Sequence, residues 1–365
     1  MLNFIRIQRF KSLNDAQFPL ASLNLFSGLN GMGKSSLIQT LLLLRQSHEK
    51  NTLFSKGLLL KGDYVALGTG KDVLTESAEK DTIEFTLVWD ADPVHFIFDY
   101  DSKSDLQHQQ KSGETRCLSE SLFTKKFQYL SADRISPKSS YDVSDYYVND
   151  LNSLGNHGEY TAHYIAEHGV APLSIEALKH PKAPSLSLLD NLDKWMSEIS
   201  PGVRIHAKLQ PSMNVVSLNY AFQQGTEMTA DFKPQNVGFG LTFVLPVLTA
   251  ILRSKPNDLV IIENPEAHLH PAGQSIIGHL CAIAAKNGVQ LFIESHSDHF
   301  LNGIRVAVRE SVIPADEVKV FYLERNQTSV HEASVVNPEI DEQGRIDVWP
   351  TGFFDEGDRL LEKLL

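Results

Sequence analysis

The chain has 365 residues, of which 42% are hydrophobic and 21% charged, a composition typical of a folded globular protein. Its formal net charge of −12 argues against a surface that binds nucleic acid indiscriminately, so that any contact with DNA would have to be local. The two cysteines, Cys117 and Cys281, stand far apart and outside any C-x-x-C pair, which argues against a disulfide scaffold and a thiolate zinc site.

The N-terminal segment predicts a strand, because apolar and polar residues alternate in NFIRIQRF. Basic residues interrupt the apolar stretch, so it lacks the uninterrupted core of a secretory signal. Further along, LTFVLPVLTAIL is too short to span a membrane and contains Pro246. We therefore expect a cytoplasmic protein without membrane contact.

A glycine-rich loop follows the second predicted strand, SLNLFSG, and leads into the helix KSSLIQTLLLLRQSHE. The loop GLNGMGKSS fits G-x-x-x-x-G-K-[ST] in the strand, loop and helix setting that a phosphate-binding loop requires. Backbone N–H groups would face a β-phosphate, Lys34 would bridge the β- and γ-phosphates of ATP, and Ser35 would ligate Mg²⁺. The predicted nucleotide ligands in this loop are Gly28, Asn30, Gly31, Gly33, Lys34, Ser35 and Ser36.

The middle of the chain changes from β to helical character. TIEFTLVWD and VHFIFDYD, joined at residues 91–93, predict a hairpin of an antiparallel lobe. SLSLLDNLDKWMSEIS predicts an amphipathic helix, and strands return from Val203 onwards. We divide the chain into residues 1–140 with the phosphate loop and β lobe, 141–202 as an inserted helical lobe, 203–335 as the second part of the nucleotide-binding core, and 336–365 as a tail.

The segment LVIIENPEAHLHP runs from a buried strand into a carboxylate. The β-branched run VII is typical of a parallel strand covered on both faces. Glu263 follows it at the position from which a carboxylate holds Mg²⁺ in nucleotide-hydrolysing proteins. The next residue, usually the glutamate that acts on the attacking water, is Asn264, whose amide can orient water but cannot take its proton. Glu266 lies two residues on and would supply the base.

Taken together, these segments resemble a known family. FIRIQRFKSL followed by the phosphate loop, then NVGFGL, IIENPEAHLHP and LFIESHSDHFLNGIR, is similar to the ATPase heads of the ABC/SMC superfamily. The chain is most similar to the bacterial OLD-like AAA ATPases that lack a long coiled coil, and its terminal VWPTGFFDE resembles a tail of unknown function found on some of them. The resemblance implies an α/β fold, an ABC-type P-loop ATPase head with an antiparallel β lobe and an inserted helical lobe.

The resemblance also implies a role for NVGFGL, which occupies the place of the ABC signature. In the family this segment binds the γ-phosphate of a nucleotide held by the opposite protomer. Gly238 and Gly240 match the signature glycines, and Asn236 stands in for the absent serine. A signature of this kind is useful only against a second copy of the chain, so the resemblance implies a homodimer or higher oligomer.

Several other side chains near strand ends gain roles from the resemblance. His296 in ESHSDH matches the switch histidine that reaches the γ-phosphate. His268 and His270 match a segment beside the dimer interface, with metal ligation as the alternative. Arg134 lies where the family tends to carry an arginine near the nucleotide, and Gln128 is a candidate for the glutamine that senses Mg²⁺.

These features predict a slow, Mg²⁺-dependent ATPase that closes as a dimer around ATP. Similar stand-alone ATPases accompany nucleases or toxins in antiphage systems such as the Septu-like and retron-linked ones. Since this chain has no evident nuclease motif, its effector would be a separate protein. Two alternatives stay open: a RecF-like repair or recombination ATPase that binds DNA ends, and a non-hydrolysing nucleotide-gated scaffold, for which Asn264 is the argument.

Overall fold

The N-terminal third of the chain forms an antiparallel sheet beside a strand and helix that carry the phosphate loop. The computed structural model describes residues 1–28, 31–90, 92–111, 115–326, 332–350, 352–354 and 356–364. The first elements are β1 (Leu2–Phe10), β2 (Leu13–Pro19), β3 (Leu23–Gly28), α1 (Lys34–Glu49), β4 (Gly57–Leu59), β5 (Thr82–Trp89), β6 (Asp92–Asp99) and β7 (Leu106–Lys111). In the antiparallel sheet the strands follow one another in the order β2-β1-β5-β6-β7-β4.

The alternation of apolar and polar residues along the strands explains how this sheet forms a hydrophobic core. Every second side chain of a strand points to the same face, and in β1 Ile5 and Ile7 are fully buried. The ring of Phe85 on β5 lies 5.4 Å from that of Phe10 and 6.0 Å from that of Phe98, measured between centroids. β5 and β6 pair along their whole length, so the predicted hairpin is confirmed.

The middle of the chain combines helices with a parallel sheet. Its elements are β8 (Phe127–Leu130), β9 (Tyr141–Asp142), α2 (Thr161–His168), α3 (Leu188–Ile199), β10 (Val203–Gln210), β11 (Val215–Gln224), β12 (Glu227–Met228), α4 (Phe239–Leu252), β13 (Leu259–Glu263), α5 (Pro271–Lys286), β14 (Gln290–Glu294) and α6 (Asp298–Arg309). β13 pairs in parallel with β8 on one side and with β14 on the other, which places Glu263 opposite Glu294. The apolar residues of β13 are buried, as expected for a strand covered on both faces.

The chain ends with β15 (Val318–Arg325), β16 (Ala333–Val336) and α7 (Glu356–Leu364). β15 pairs in parallel with β3, next to the phosphate loop, and antiparallel with β16. The chain divides into two units: residues 1–126, 318–341 and 346–365 form the first unit, and residues 127–317 and 342–345 form the second. Among the described residues, no helix has the length and apolar character needed to cross a membrane.

The C-terminal tail is anchored to the first unit by an aromatic residue. Phe353 is fully buried, and its ring centroid lies 5.3 Å from that of Tyr322 on β15 and 5.2 Å from that of Trp349. By contrast, the apolar side chains of α7 are exposed, Leu361 by 58%. Phe353 therefore fixes the tail to the strand that pairs with β3.

We expect Phe353→Ala to lower the free energy of unfolding by about 3–5 kcal/mol, because it removes a buried ring and leaves a cavity. The matched control is Leu361→Ala, an exposed site where the change should stay within about 0.5 kcal/mol. Urea unfolding of the two variants measures both values. Equal losses in the two variants would show that the tail is not anchored through Phe353.

Candidate functional site

The phosphate loop begins at Gly28, where only glycine fits. Gly28 pairs with Leu323 of β15 and has a φ of +143°. A Cβ at this position would lie 2.2 Å from the carbonyl oxygen of Leu323, closer than any side chain tolerates. The first residue of the loop must therefore be glycine, because it lies in direct contact with the neighbouring strand.

The other end of the loop lies at the N-terminus of α1. Gly33 is the N-cap residue of α1 and has a φ of +90°; as glycine, it has no side chain that could accept a hydrogen bond from the first turn. The first turn of α1 contains no acidic residue. A helix N-terminus of this kind attracts phosphate through its N–H groups and its dipole.

Lys34 and its neighbours show how the loop is arranged. Lys34 is only 4% exposed, and its ammonium donates a hydrogen bond to the carbonyl oxygen of Gly28 at 2.8 Å. Ser35 is half-buried, whereas Ser36 is buried and its backbone N–H donates to Gly33 at 2.9 Å. On the Cβ side of Gly31, no atom of the described residues lies within 4 Å. Asn30, the remaining predicted ligand, lies outside the described residues.

In the second unit, the Glu263 carboxylate is held at the end of β13. Oε1 accepts a hydrogen bond from the hydroxyl of Tyr129 and Oε2 one from the backbone N–H of Ala132, each at 3.2 Å. Burial raises the pKa of Glu263, and these hydrogen bonds oppose the shift. A carboxylate has about four lone-pair sites, so both oxygens keep acceptor capacity. Glu263 therefore fits the oxygen ligand that Mg²⁺ prefers.

Asn264 adopts a backbone conformation that is unusual for a residue other than glycine. Its φ is +45°, in the left-handed region that asparagine tolerates better than most residues. Its N–H donates to the carbonyl oxygen of Glu294 on β14 at 2.8 Å. Its side-chain Oδ1 is buried and has no hydrogen-bond partner among the described residues. The amide oxygen is thus available to a polar group that the described residues do not supply.

Glu266 is brought against the segment that carries His296. Its Oε1 accepts the backbone N–H of His296 at 2.8 Å, while its Oε2 is buried without a partner in the described part of the chain. Burial raises the pKa of Glu266 above its ordinary value, and the hydrogen bond from His296 opposes this. The imidazole of His296 is exposed. A carboxylate with a raised pKa is a stronger base than an ordinary glutamate.

Arg134 and Gln128 occupy positions that the sequence left without a firm role. Arg134 is 2% exposed, and its guanidinium donates to the carbonyl oxygens of Glu263, at 2.7 Å, and of Asn264. Burial lowers the pKa of Arg134 to about 10, so the side chain stays charged at neutral pH. Gln128 is buried, and its amide donates to Gly155 at 2.9 Å within the core. The sequence signals for Arg134 were its place shortly after the strand that pairs with β13 and the family resemblance, in which an arginine tends to stand here.

The signature segment approaches the same part of the second unit. Asn236 is exposed in a short 3₁₀ turn, and Gly238 is the residue that precedes α4. A Cβ on Gly240 would lie 2.6 Å from the carbonyl oxygen of His268, whereas a Cβ on Gly238 would meet no atom within 4 Å. Gly240 is therefore required by packing within one chain, and Gly238 faces open space.

The two histidines after Glu266 are exposed and serve the local fold. The ring of Phe243 on α4 packs against that of His268 with centroids 4.7 Å apart. His270 precedes α5, and its Nδ1 accepts the N–H of Ala272 at 3.4 Å. Among the residues that the structure describes, no group of three or more His, Cys, Asp or Glu side chains could hold a metal ion. These contacts give no support to metal ligation by the histidines.

Comparison with protein families assigns the chain to one of them. Residues 23–302 match the family described as "AAA domain, putative AbiEii toxin, Type IV TA system". Residues 313–364 match "Protein of unknown function (DUF3696)". The chain belongs to the first of these families, since the match covers most of its length. No curated protein matches it.

Solved structures with a similar fold include SMC heads. The chain aligns with an SmcHead bound to the C-winged helix domain of ScpA, with a TM-score of 0.56 and 14% identity over 93% of this chain and 98% of that chain. It also aligns with an Smc head domain with an extended coiled coil, bound to the C-terminal domain of ScpA and derived from Pyrococcus furiosus, with a TM-score of 0.54 and 13% identity over 100% and 99% of the two chains. The predicted α/β fold, that of an ABC-type P-loop ATPase head, is thereby confirmed.

The two signature glycines should respond differently to the same substitution. Gly240→Ser should lower the free energy of unfolding by about 1–3 kcal/mol, because its Cβ would collide with the His268 backbone. Gly238→Ser should be neutral or stabilising by up to about 1 kcal/mol, since its Cβ has room and serine is a favoured N-cap residue. Thermal and urea unfolding measure both. The interpretation fails if Gly238→Ser is the more damaging change.

Proposed function

We propose that this protein is a slow, Mg²⁺-dependent ATPase whose hydrolytic groups lie on the turn after β13. One observation carries the proposal: Asn264 Oδ1 and Glu266 Oε2 are both buried and lack a partner among the described residues. Leaving a buried polar atom unsatisfied costs about 1–3 kcal/mol. Two such atoms within three residues of sequence suit a turn that receives a water molecule during its function.

Each group on this turn has a distinct proposed role. Glu263 would hold Mg²⁺, and bound Mg²⁺ would supply neutralisation of the charge on the phosphates. Asn264 would orient the attacking water through its amide oxygen, and Glu266 would accept the proton of that water. His296, whose backbone already meets Glu266, would direct its exposed imidazole to the γ-phosphate. With these roles, hydrolysis would not need the usual second glutamate.

The first unit would supply the phosphate contacts. The first turn of α1 contains no acidic side chain that would repel a phosphate at the N-terminus of the helix. Lys34 donates to its own loop at Gly28 and can exchange that carbonyl for phosphate oxygens, which accept more strongly because they are charged. Ser35 would supply an oxygen ligand to Mg²⁺ from this loop. Both ATP and Mg²⁺ are therefore the proposed cofactors.

The signature segment supports closure of two copies around ATP. Gly238 faces open space, and the first turn of α4 contains no acidic residue that would repel a phosphate. Asn236 and Phe239 beside it are exposed, the latter by 59%. We propose that Asn236, Gly238 and Gly240 of one copy face the γ-phosphate of the other.

Dimer closure would regulate a separate effector, a nuclease or a toxin, in antiphage defence. The family description, which names a toxin–antitoxin system, is in keeping with a protein that works beside such a partner. A non-hydrolysing scaffold is the second candidate, and Asn264 at the position of the usual base favours it. ATP turnover by the purified protein separates the two candidates.

The assignment of the base makes a specific prediction. Glu266→Gln should lower the rate of ATP hydrolysis roughly 10²–10⁴-fold with little change in ATP affinity, because the amide cannot accept a proton. Asn264→Glu should raise the rate, since it restores a carboxylate at the usual position. Phosphate release and ATP binding are measured on the same samples.

Lys34→Ala is the control for lost binding, since it removes the charge that meets the phosphates. Normal turnover in Glu266→Gln combined with an inactive Asn264→Ala would transfer the essential role to Asn264. Absence of turnover in the parental protein, with tight ATP binding, would establish the scaffold instead.

Closure through the signature is tested at Gly238, because substitution there leaves the chain's own packing intact. Gly238→Arg should abolish ATP-dependent dimerisation while each monomer still binds ATP. Val306→Arg, at an exposed position on α6, is the charge-matched control and should dimerise normally. Sedimentation velocity with and without Mg²⁺ and ATP distinguishes these results. Unimpaired dimerisation of Gly238→Arg would place the interface elsewhere.

A further inference from the structure

Arg134 bonds to backbone carbonyl groups rather than presenting its charge to solvent. One guanidinium nitrogen, Nη1, donates to Ser131 at 3.1 Å and to Glu263 at 2.7 Å. The other, Nη2, donates to the carbonyl oxygen of Asn264. Ser131 belongs to the loop of Arg134 itself. Glu263 and Asn264 are consecutive residues of the segment from Glu263 to Glu266, which carries the proposed hydrolytic groups and is called the hydrolytic turn. The planar guanidinium thus ties two adjacent carbonyl groups of the turn to the end of β8.

These bonds act on the residue whose conformation is most unusual. Asn264 has a positive φ, and such a conformation in a residue other than glycine persists only where its surroundings hold it. Its N–H is fixed by Glu294 at 2.8 Å, and its carbonyl oxygen accepts both Arg134 and the N–H of Ala267, the latter at 3.1 Å. Arg134 is the one side chain among these partners of the Asn264 backbone.

Arg134 is also supported from the signature helix. The guanidinium carbon lies 5.9 Å from the ring centroid of Phe243 on α4, within the range of a cation–π contact. The carboxylates of Glu263 and Glu266 favour its charged form against the effect of burial. The cation is therefore held between the turn, the two carboxylates and an aromatic face.

We propose that Arg134 is a positioning residue for hydrolysis, which holds Asn264 in its left-handed conformation so that the turn presents Asn264 and Glu266 to the attacking water. The inference rests on the proposed function of that turn. Arg134 itself does not contact the nucleotide in this role. Lysine cannot replace it, because a single ammonium on a flexible stem does not reproduce a rigid planar fork across adjacent carbonyl groups.

The second unit contains a matched control for a buried arginine. Arg253 is 9% exposed, and it donates to the carbonyl oxygen of Asn152 at 2.8 Å and to the side chain of Gln128 at 2.6 Å. Its guanidinium carbon lies 5.1 Å from the ring centroid of Tyr164. In both arginines Nε is buried without a partner among the described residues. Arg253 thus shares the burial and bonding of Arg134, but its hydrogen bonds go to other elements than the hydrolytic turn.

The experiment compares Arg134→Lys with Arg253→Lys in the full chain. Arg134→Lys should lower the turnover of ATP on the order of 10²-fold, as expected for slightly misplaced catalytic groups, while its dissociation constant for ATP stays near the parental value. Arg253→Lys should lose stability but keep parental turnover. Hydrogen exchange should accelerate at the Ala267 amide, which bonds to Asn264, in Arg134→Lys and not in Arg253→Lys.

Three results would overturn the proposal: parental turnover in Arg134→Lys, an equal loss of turnover in Arg253→Lys, or a loss of ATP affinity in Arg134→Lys that accounts for its lower rate. If Arg134→Lys does not fold, Phe243→Leu tests the same cation by removing its aromatic support. That variant should lose turnover without loss of ATP affinity, and parental turnover would count against the proposal. If the parental protein does not hydrolyse ATP, the proposed function fails, and exchange at Ala267 still decides whether Arg134 holds the turn.

Discussion

Where a strand is covered on both faces, the polar side chains at its ends need hydrogen-bond partners or opposite charges. This constraint determines the arrangement of the second unit. β13 is apolar and buried along its length and then reaches Glu263, Asn264 and Glu266 within four residues. Burying such groups is costly unless hydrogen bonds or opposite charges compensate them. The protein compensates most of them with one buried arginine, a tyrosine hydroxyl and backbone N–H groups. Among the described residues, one oxygen of Asn264 and one of Glu266 stay without a hydrogen-bond partner, and these are the atoms that we propose to hold the attacking water.

The same turn is connected by packing to the signature helix. Gly240 lies against the backbone of His268, and Phe243, one turn further along α4, contacts both His268 and Arg134. A movement of α4 would therefore reach the hydrolytic turn through side chains in direct contact. Such a connection suits a protein in which approach of a second copy at the signature controls hydrolysis.

Features encoded by neighbouring residues could be predicted from the sequence. The alternation in β1, the hairpin of β5 and β6, and the apolar run of β13 are patterns within single elements, and the structure contains each of them. The phosphate loop was recognisable because its glycines, lysine and serine stand at fixed spacing between a strand and a helix. The order of such motifs along the chain carried the resemblance to ABC/SMC ATPase heads, and this resemblance implied the α/β head fold.

Features that depend on distant residues could not be predicted in the same way. No local pattern states that Arg134 donates to residues about 130 positions away, or that Gly240 is required by the carbonyl group of His268. Gln128 had the residue type of a magnesium sensor, but its hydrogen bonds lie within the core of the second unit. These distinctions depend on which groups the folded chain brings together.

The most direct measurement is a crystal structure of the protein with Mg²⁺ and a non-hydrolysable ATP analogue. If the proposed function is correct, Glu263 will contact the metal, and an ordered water will lie within hydrogen-bond distance of Asn264 Oδ1 and Glu266 Oε2, close to the γ-phosphate. The opposite result, a bound nucleotide whose nearest water is held by other groups while both oxygens stay without a partner, would contradict hydrolysis by this turn.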